Sequence, residues 1–293
     1  MTMGVAPKWI DVDGVRTRYF ESGTGEPILF LTGGHYGGSM FTSTVETWDR
    51  NFPVLARRYR VFALDKLGFG HTDNPKERDY TMRALIDHVA GFLKALDLEG
   101  VHVVGQSAGA LPAAALAYRC PGRIRSCTFI NSSTLAPGVS LNEAVLAGCP
   151  HPPYSREAQR WLFVQCAHDP AIVSDDFVEA GYEVMQLRKY RECVQAMDGD
   201  GLKDTLYRPD LARVKRETMS WITDAGVGRP TLVYWGCNDR AATVERGAAL
   251  YQMIASREND AQFHVVNRAC HHPYREHPEQ FNEVMANFLG ALR

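Results

Sequence analysis

The sequence predicts an α/β protein built on one mainly parallel β-sheet with helices on both faces. Three observations point there. Eight short apolar runs are spaced along the 293 residues. Several carry no alternation of polar and apolar residues, as suits strands covered on both faces. Helical patterns lie between them. One of the runs leads through a glycine-flanked serine directly into a helical pattern.

The runs begin with residues 10–12 and 16–20, which flank the turn Asp13-Gly14 and read as a hairpin. Residues 28–31 follow Pro27 and lead into a glycine-rich loop. Residues 61–64 end at Asp65 and the turn Gly68-Phe69-Gly70. Residues 101–104, 127–130, 232–235 and 263–266 complete the set. Among the helical patterns, Met82, Leu85, Ile86, Val89, Leu93 and Leu96 recur at helix spacing, with Thr81 placed to cap them. Residues 108–118 are alanine-rich and stop before Pro121-Gly122. Phe281, Val284, Met285, Phe288 and Leu289 mark a C-terminal helix. The alternation breaks from about 135 to 215. That segment carries turn-rich sequence and helical stretches near 157–167, 175–185 and 189–197, but no convincing strand. It reads as a helical lid inserted into one domain made of residues 1–134 and 216–293.

Composition excludes several classes. Lys plus Arg number 32 against 34 Asp plus Glu, giving a formal net charge of −2. That balance leaves no electrostatic footprint for nucleic acid. With 45 % hydrophobic and 10 % aromatic residues, the chain has the composition of a folded globular protein. The seven cysteines are odd in number and include no CxxC, so a disulfide framework and a zinc site are both unexpected. Residues 1–14 have no apolar core of signal-peptide length, and no run approaches the roughly 18 apolar residues of a membrane span. These features point to the cytoplasm.

Gly105-Gln106-Ser107-Ala108-Gly109 is a GxSxG pattern in a strand–turn–helix setting, as a nucleophile elbow requires. The tight turn strains the serine, and glycines on either side remove the side chains that would clash. The hydroxyl then stands at a helix N-terminus, where backbone N–H groups favour developing negative charge. A serine nucleophile needs a base, and the base needs an orienting carboxylate. Asp239 follows the run 232–235, and His271 and His272 follow the run 263–266. Acid and base candidates therefore come after successive strands, in the chain order this arrangement uses. Only one of the two histidines can face Ser107. His277 sits at a helix start and is discounted. The oxyanion hole calls for two backbone N–H groups, from Ala108 and from the loop 32–38 (TGGHYGG), where Gly34 is the first choice and His35 stands beside it. The same loop has neither GxGxxG nor GK[ST], which disfavours a phosphate-binding reading.

Taken together, these residues resemble the α/β-hydrolases over nearly the whole chain, and within them the meta-cleavage product hydrolases, which cut carbon–carbon bonds of vinylogous diketones in aromatic degradation. The matching segments are 32–38, 65–73 (DKLGFGHTD), the elbow, 235–240 (WGCNDR) and 270–278 (CHHPYREHP). The resemblance implies an eight-stranded, mainly parallel sheet with an inserted helical lid, and a catalytic set of Ser107, Asp239 and His271. It also implies a lid arginine reading the substrate carboxylate, which the segment 181–188 (GYEVMQLR) places at Arg188. Three positions depart from the family: Thr32 where the oxyanion loop usually starts with His, Gln106 where Asn is common, and His272 where a large apolar residue is common. Gln106, His35 and His272 are accordingly substrate-binding candidates. Trp161, Phe163, Phe177, Tyr182 and Met185 suggest an apolar pocket or the lid's own packing. No cofactor or metal is expected, and the partner is a small-molecule substrate. The resemblance leaves a homodimer open. A carboxylesterase, thioesterase or lactonase would use the same triad. A cofactor-free oxygenase or a ligand-binding receptor are the more distant alternatives on this fold.

Overall fold

The computed structural model describes residues 3–37, 42–138, 145 and 147–292. The chain opens with an antiparallel hairpin, β1 (Lys8–Val12) and β2 (Val15–Ser22). Then come β3 (Pro27–Leu31), α1 (Phe52–Leu55), β4 (Arg60–Leu64), α2 (Met82–Ala95), β5 (Val101–Gln106), α3 (Ala110–Arg119) and β6 (Ile124–Ile130). After β6 follow α4 (Arg156–Gln165), α5 (Asp175–Gln186), α6 (Arg188–Val194) and α7 (Arg208–Ala225). The chain closes with β7 (Thr231–Gly236), α8 (Val244–Ala255), β8 (Ala261–Val266), α9 (Pro273–Glu276) and α10 (Pro278–Gly290). The eight strands form one sheet in the order β1-β2-β4-β3-β5-β6-β7-β8. Only the β1/β2 and β2/β4 pairs are antiparallel.

The sheet's interior explains the unbroken apolar runs. On β3, Leu29 and Leu31 join one buried cluster and Ile28 and Phe30 the other. β4 divides the same way, Phe62 and Leu64 against Val61 and Ala63. Successive side chains point to opposite faces and both faces are covered, so residues 28–31 and 61–64 are apolar without a break. Helices α2, α3, α7 and α8 cover one face, with Phe92, Leu111, Ile222 and Leu250 in its cluster. Helices α1 and α10 cover the other, through Phe52, Phe281 and Phe288. Thr81 caps α2 by accepting a hydrogen bond from the Ala84 N–H at 3.0 Å.

Among the described residues no strand lies between β6 and β7, in keeping with the segment that breaks the alternation. The boundary drawn at 215, however, falls inside α7, which packs against α2, α3 and α8 and so belongs to the covering of the sheet. Its buried positions are Asp210, Val214, Thr218 and Ile222, half of them polar, which blurs the periodicity. The segment before α7 docks on the loops at the carboxyl edge of the sheet. Thr42 exchanges two hydrogen bonds with the Gln159 amide (3.0 and 3.1 Å) and donates its hydroxyl to Gly181 O at 2.7 Å. Among the described residues no helix is long and apolar enough to cross a membrane.

Trp48 is fully buried between Phe30 and Tyr274, with ring centroids 4.4 and 4.1 Å away. It links the centre of the sheet to the helix that follows the histidine loop. Trp48→Ala is expected to cost about 3–5 kcal/mol through the cavity it leaves, read as a lowered urea midpoint with an unchanged slope.

Candidate active site

Strands β3, β5, β6, β7 and β8 run parallel, so the loops after them meet at one edge of the sheet. Thr32, Ser107, Asn131, Asp239 and His271 all lie on these loops. Ser107 has φ 51°, a left-handed conformation that costs a non-glycine residue energy and is held here by its surroundings. The flanking glycines are sterically required. A Cβ on Gly105 would lie 2.4 Å from Gly109 O, and one on Gly109 would lie 2.5 Å from Thr32 O. The Ser107 carbonyl accepts the Ser132 hydroxyl at 2.6 Å, which ties the turn to the end of β6.

His271 and Asp239 are joined directly, Nδ1 to Oδ2 at 2.7 Å. Asp239 is further held by the N–H groups of Ala241 (2.8 Å) and Ala242 (3.0 Å) on Oδ1 and by the Asn131 amide (2.7 Å) on Oδ2. Burial pushes its carboxyl up, but the charge and hydrogen bond of His271, the Ala242 N–H and the Asn131 amide outweigh that and hold it below the usual carboxylate range. For His271 burial works downward, and the charge and hydrogen bond of Asp239, with a smaller contribution from Glu276, raise it above the ordinary 6.5. Asn131 also accepts the Gly236 N–H at 2.9 Å and donates to Cys270 O at 3.3 Å, so one amide aligns the acid loop with the histidine loop. Sequence reasoning missed Asn131. The available signal was a polar residue directly after an apolar strand, at the edge where the other site residues emerge.

The remaining candidates fall into place unequally. His272 is turned away from the Asp239 partnership, with its ring 5.3 Å from that of His271 and perpendicular to it. It lines a cavity of about 220 Å³ with Thr32, Gly33, Gln106, Phe163 and Phe177. Burial, reinforced by His271 and Arg275, holds it well below 6.5 and hence neutral. Gln106 lines the same cavity, but its amide is engaged on both sides. Oε1 accepts the Gly33 N–H at 3.1 Å and Nε2 donates to His271 O at 3.2 Å. Gly34 and His35 border a second cavity of about 380 Å³ with Phe69, Val184 and Tyr190. His35 pairs with the Tyr207 hydroxyl at 2.6 Å, and burial, with Lys66 and Arg208 adding to it, lowers its pKa to about 4. Phe163 and Phe177 stack 4.2 Å apart at the first cavity. Tyr182 instead lies under Arg156.

Arg188 does not read the pocket. Its side chain is 93 % exposed and pairs with Glu192 one turn further along α6. The helix starts at Arg188 itself, and this residue falls on its solvent face. The basic cluster of Arg188, Lys189 and Arg191 separates: Lys189 turns inward to the backbone carbonyls of Phe69 and Thr72.

Glu276, used only as a register mark in the sequence, ties the segment after α4 to the histidine loop. Its carboxylate accepts the Cys270 N–H and the His168 N–H, both at 2.6 Å. The His271 N–H reaches across to Cys166 O at 3.0 Å. Among the described residues no group of His, Cys, Asp and Glu is arranged to hold a metal ion.

Known proteins resemble this chain in sequence and in fold. A family model for the alpha/beta hydrolase fold matches residues 26–165. A 2-hydroxymuconate semialdehyde hydrolase of Pseudomonas sp. strain CF600 is 29 % identical over 279 residues, 94 % of this chain and 91 % of the relative. A 2-hydroxy-6-oxo-6-(2'-aminophenyl)hexa-2,4-dienoic acid hydrolase of Metapseudomonas resinovorans is 29 % identical over 306 residues, 97 % of this chain and 90 % of the relative. A solved meta-cleavage product hydrolase from Pseudomonas fluorescens IP01 superposes with TM-score 0.80 at 26 % identity, covering 98 % of each chain. The protein is therefore an α/β-hydrolase in fold, similar along nearly its whole length to the meta-cleavage product hydrolases.

Proposed function

We propose that Ser107, His271 and Asp239 are the catalytic triad of a hydrolase for a small, largely apolar carbonyl compound, and that its substrate is a vinylogous diketone acid cut at a carbon–carbon bond. The observation that carries this reading is the strained Ser107 turn, joined through the Gln106 amide to a His271 already paired with Asp239. The length-wide similarity to carbon–carbon bond hydrolases supports the choice of bond. As an intracellular catabolic enzyme it would work in the cytoplasm.

His271 Nε2 takes the Ser107 hydroxyl proton as Oγ forms a bond to the substrate carbonyl carbon. With a dienol substrate, His271 first assists its ketonisation. The carbonyl electron pair moves onto oxygen, which the N–H groups of Gly34 and Ala108 hold. The tetrahedral intermediate collapses, the carbon–carbon bond breaks, and the departing fragment takes its electron pair and the proton from His271. A water then attacks the acyl group, giving one proton to His271, which returns it to Ser107 Oγ as the acid leaves. One water is consumed.

One observation favours a second reading, a carboxylesterase, thioesterase or lactonase with the same triad. Among the described residues neither cavity is lined by a Lys, Arg, Asp or Glu, and Arg188 faces solvent. An uncharged acyl group needs no counter-ion. Turnover of short-acyl nitrophenyl esters against dienoic diketone acids separates the two readings.

Ser107→Ala should lower turnover of the true substrate by more than about a thousand-fold while leaving the circular dichroism spectrum unchanged. Wild-type turnover in that variant would exclude the mechanism. Because His271 must be neutral to accept the proton, activity falls as pH drops through a pKa above the ordinary 6.5. In Asp239→Asn the supporting charge is gone, so the His271 titration seen by NMR moves to lower pH and turnover drops. Arg188→Ala, at a solvent-facing position, is expected to leave KM for a carboxylate-bearing substrate within about two-fold, since exposed ion pairs contribute little.

A further inference from the structure

Lys66 lies two residues beyond the end of β4, and it is 1 % exposed. Its ammonium donates to Gly33 O at 2.9 Å and stands 4.2 Å over the Phe69 ring. The neighbouring Asp65 carboxylate is committed elsewhere, to Arg18 at 2.5 Å and to the His71 N–H at 2.9 Å. Burying an ammonium against one backbone carbonyl and an aromatic face is costly, and an apolar chain of like length would avoid that cost. Burial in fact drives the Lys66 pKa down to about 7, with Asp65 opposing.

The carbonyl that Lys66 grips belongs to a particular peptide. Gly33 C=O and Gly34 N–H are the two ends of one planar, trans unit, so they point in opposite directions. With the oxygen drawn toward Lys66, the Gly34 N–H is turned to the other side. The same unit abuts the nucleophile: a Cβ on Gly33 would lie 2.8 Å from Ser107 Cβ and 3.3 Å from Ser107 Oγ. The Gly33 N–H is fixed in turn by Gln106. A positive charge on the carbonyl oxygen also draws electron density along the amide and makes its N–H a stronger donor.

We propose that Lys66 is a positioning residue for the reaction: it orients and polarises the Gly33–Gly34 peptide so that the Gly34 N–H is ready for the oxyanion. The proposal rests on the triad reading above, in which Gly34 supplies that N–H. Gln106 and Lys66 then hold the two ends of Gly33, one linked to the histidine loop and the other to the loop after β4.

The test uses a fluorophosphonate probe, whose phosphoryl oxygen occupies the oxyanion position when Ser107 attacks. Wild type, Ser107→Ala, Lys66→Met and Lys66→Gln are compared for the maximal labelling rate and for the half-saturating probe concentration. Lys66→Met should lower the maximal rate about ten-fold or more, leave half-saturation within two-fold, and melt at or above the wild-type temperature. Lys66→Gln, which keeps a neutral N–H donor, should recover part of the rate but stay more than two-fold below wild type, and it serves as the test if the methionine variant does not fold. A folded Lys66→Met or Lys66→Gln enzyme labelled within two-fold of the wild-type rate overturns the proposal while leaving the triad standing. Labelling that persists in Ser107→Ala, or is absent from wild type, overturns the triad reading instead.

Discussion

A serine held at φ 51° between a strand and a helix constrains everything around it. The turn folds back so tightly that Gly105 touches Gly109, and Gly109 in turn lies against the carbonyls of Leu31 and Thr32. Bare backbone on both sides brings the loop after β3 into contact with the serine. Gly33 completes the set, since any side chain there would strike Gln106 and Ser107. Only with the β3 loop drawn this close can one glutamine amide reach from Gly33 N to His271 O. The strain at Ser107 is balanced by hydrogen bonds and packing from the loops after β3, β6 and β8.

Much of the fold was legible in the sequence because its signals are local. Strands buried on both faces appear as unbroken apolar runs, and Thr81 marks the start of α2. The elbow carries its glycines within five residues, and Asp239 and His271 follow the ends of their strands. Helix α7 was not legible, because it buries Asp210 and Thr218 alongside Val214 and Ile222. Asp210 is satisfied there by Arg83, 127 residues away, a pairing with no local signature. Arg188 is the converse case. A segment that resembles a functional one carries an arginine, but the direction of its side chain depends on where α6 begins, and Arg188 faces solvent.

The roles of Asn131, Gln106, Glu276 and Lys66 are illegible for a shared reason. Each acts through backbone atoms of loops far away in sequence. Lys66 meets Gly33 across 33 residues, Gln106 meets His271 across 165, and Glu276 meets His168 across 108. Backbone acceptors and donors carry no residue identity, so neither partner announces the other. What the sequence does show is the cost of each, a polar side chain at the end of an apolar run or within a loop that must be covered. Unexplained buried polarity beside a recognised motif marks where such links occur.

The charge around the site is sorted by the same links. The two histidines that line the cavities, His35 and His272, are held neutral by burial and by positive neighbours. Charge survives on Asp239, which is paired with His271, while Asp65 is bound to Arg18. Lys66 lies between these cases, with a backbone carbonyl as its only hydrogen-bond acceptor among the described residues. On the reading proposed above, Lys66 is the basic group that stands directly behind the Gly33–Gly34 peptide. Among the described residues the cavity walls give an anionic substrate no fixed counter-ion, so a carboxylate there would be met by neutral donors. The acid group of the proposed substrate, rather than its scissile bond, is therefore where the diketone-acid and ester readings make different demands on this site.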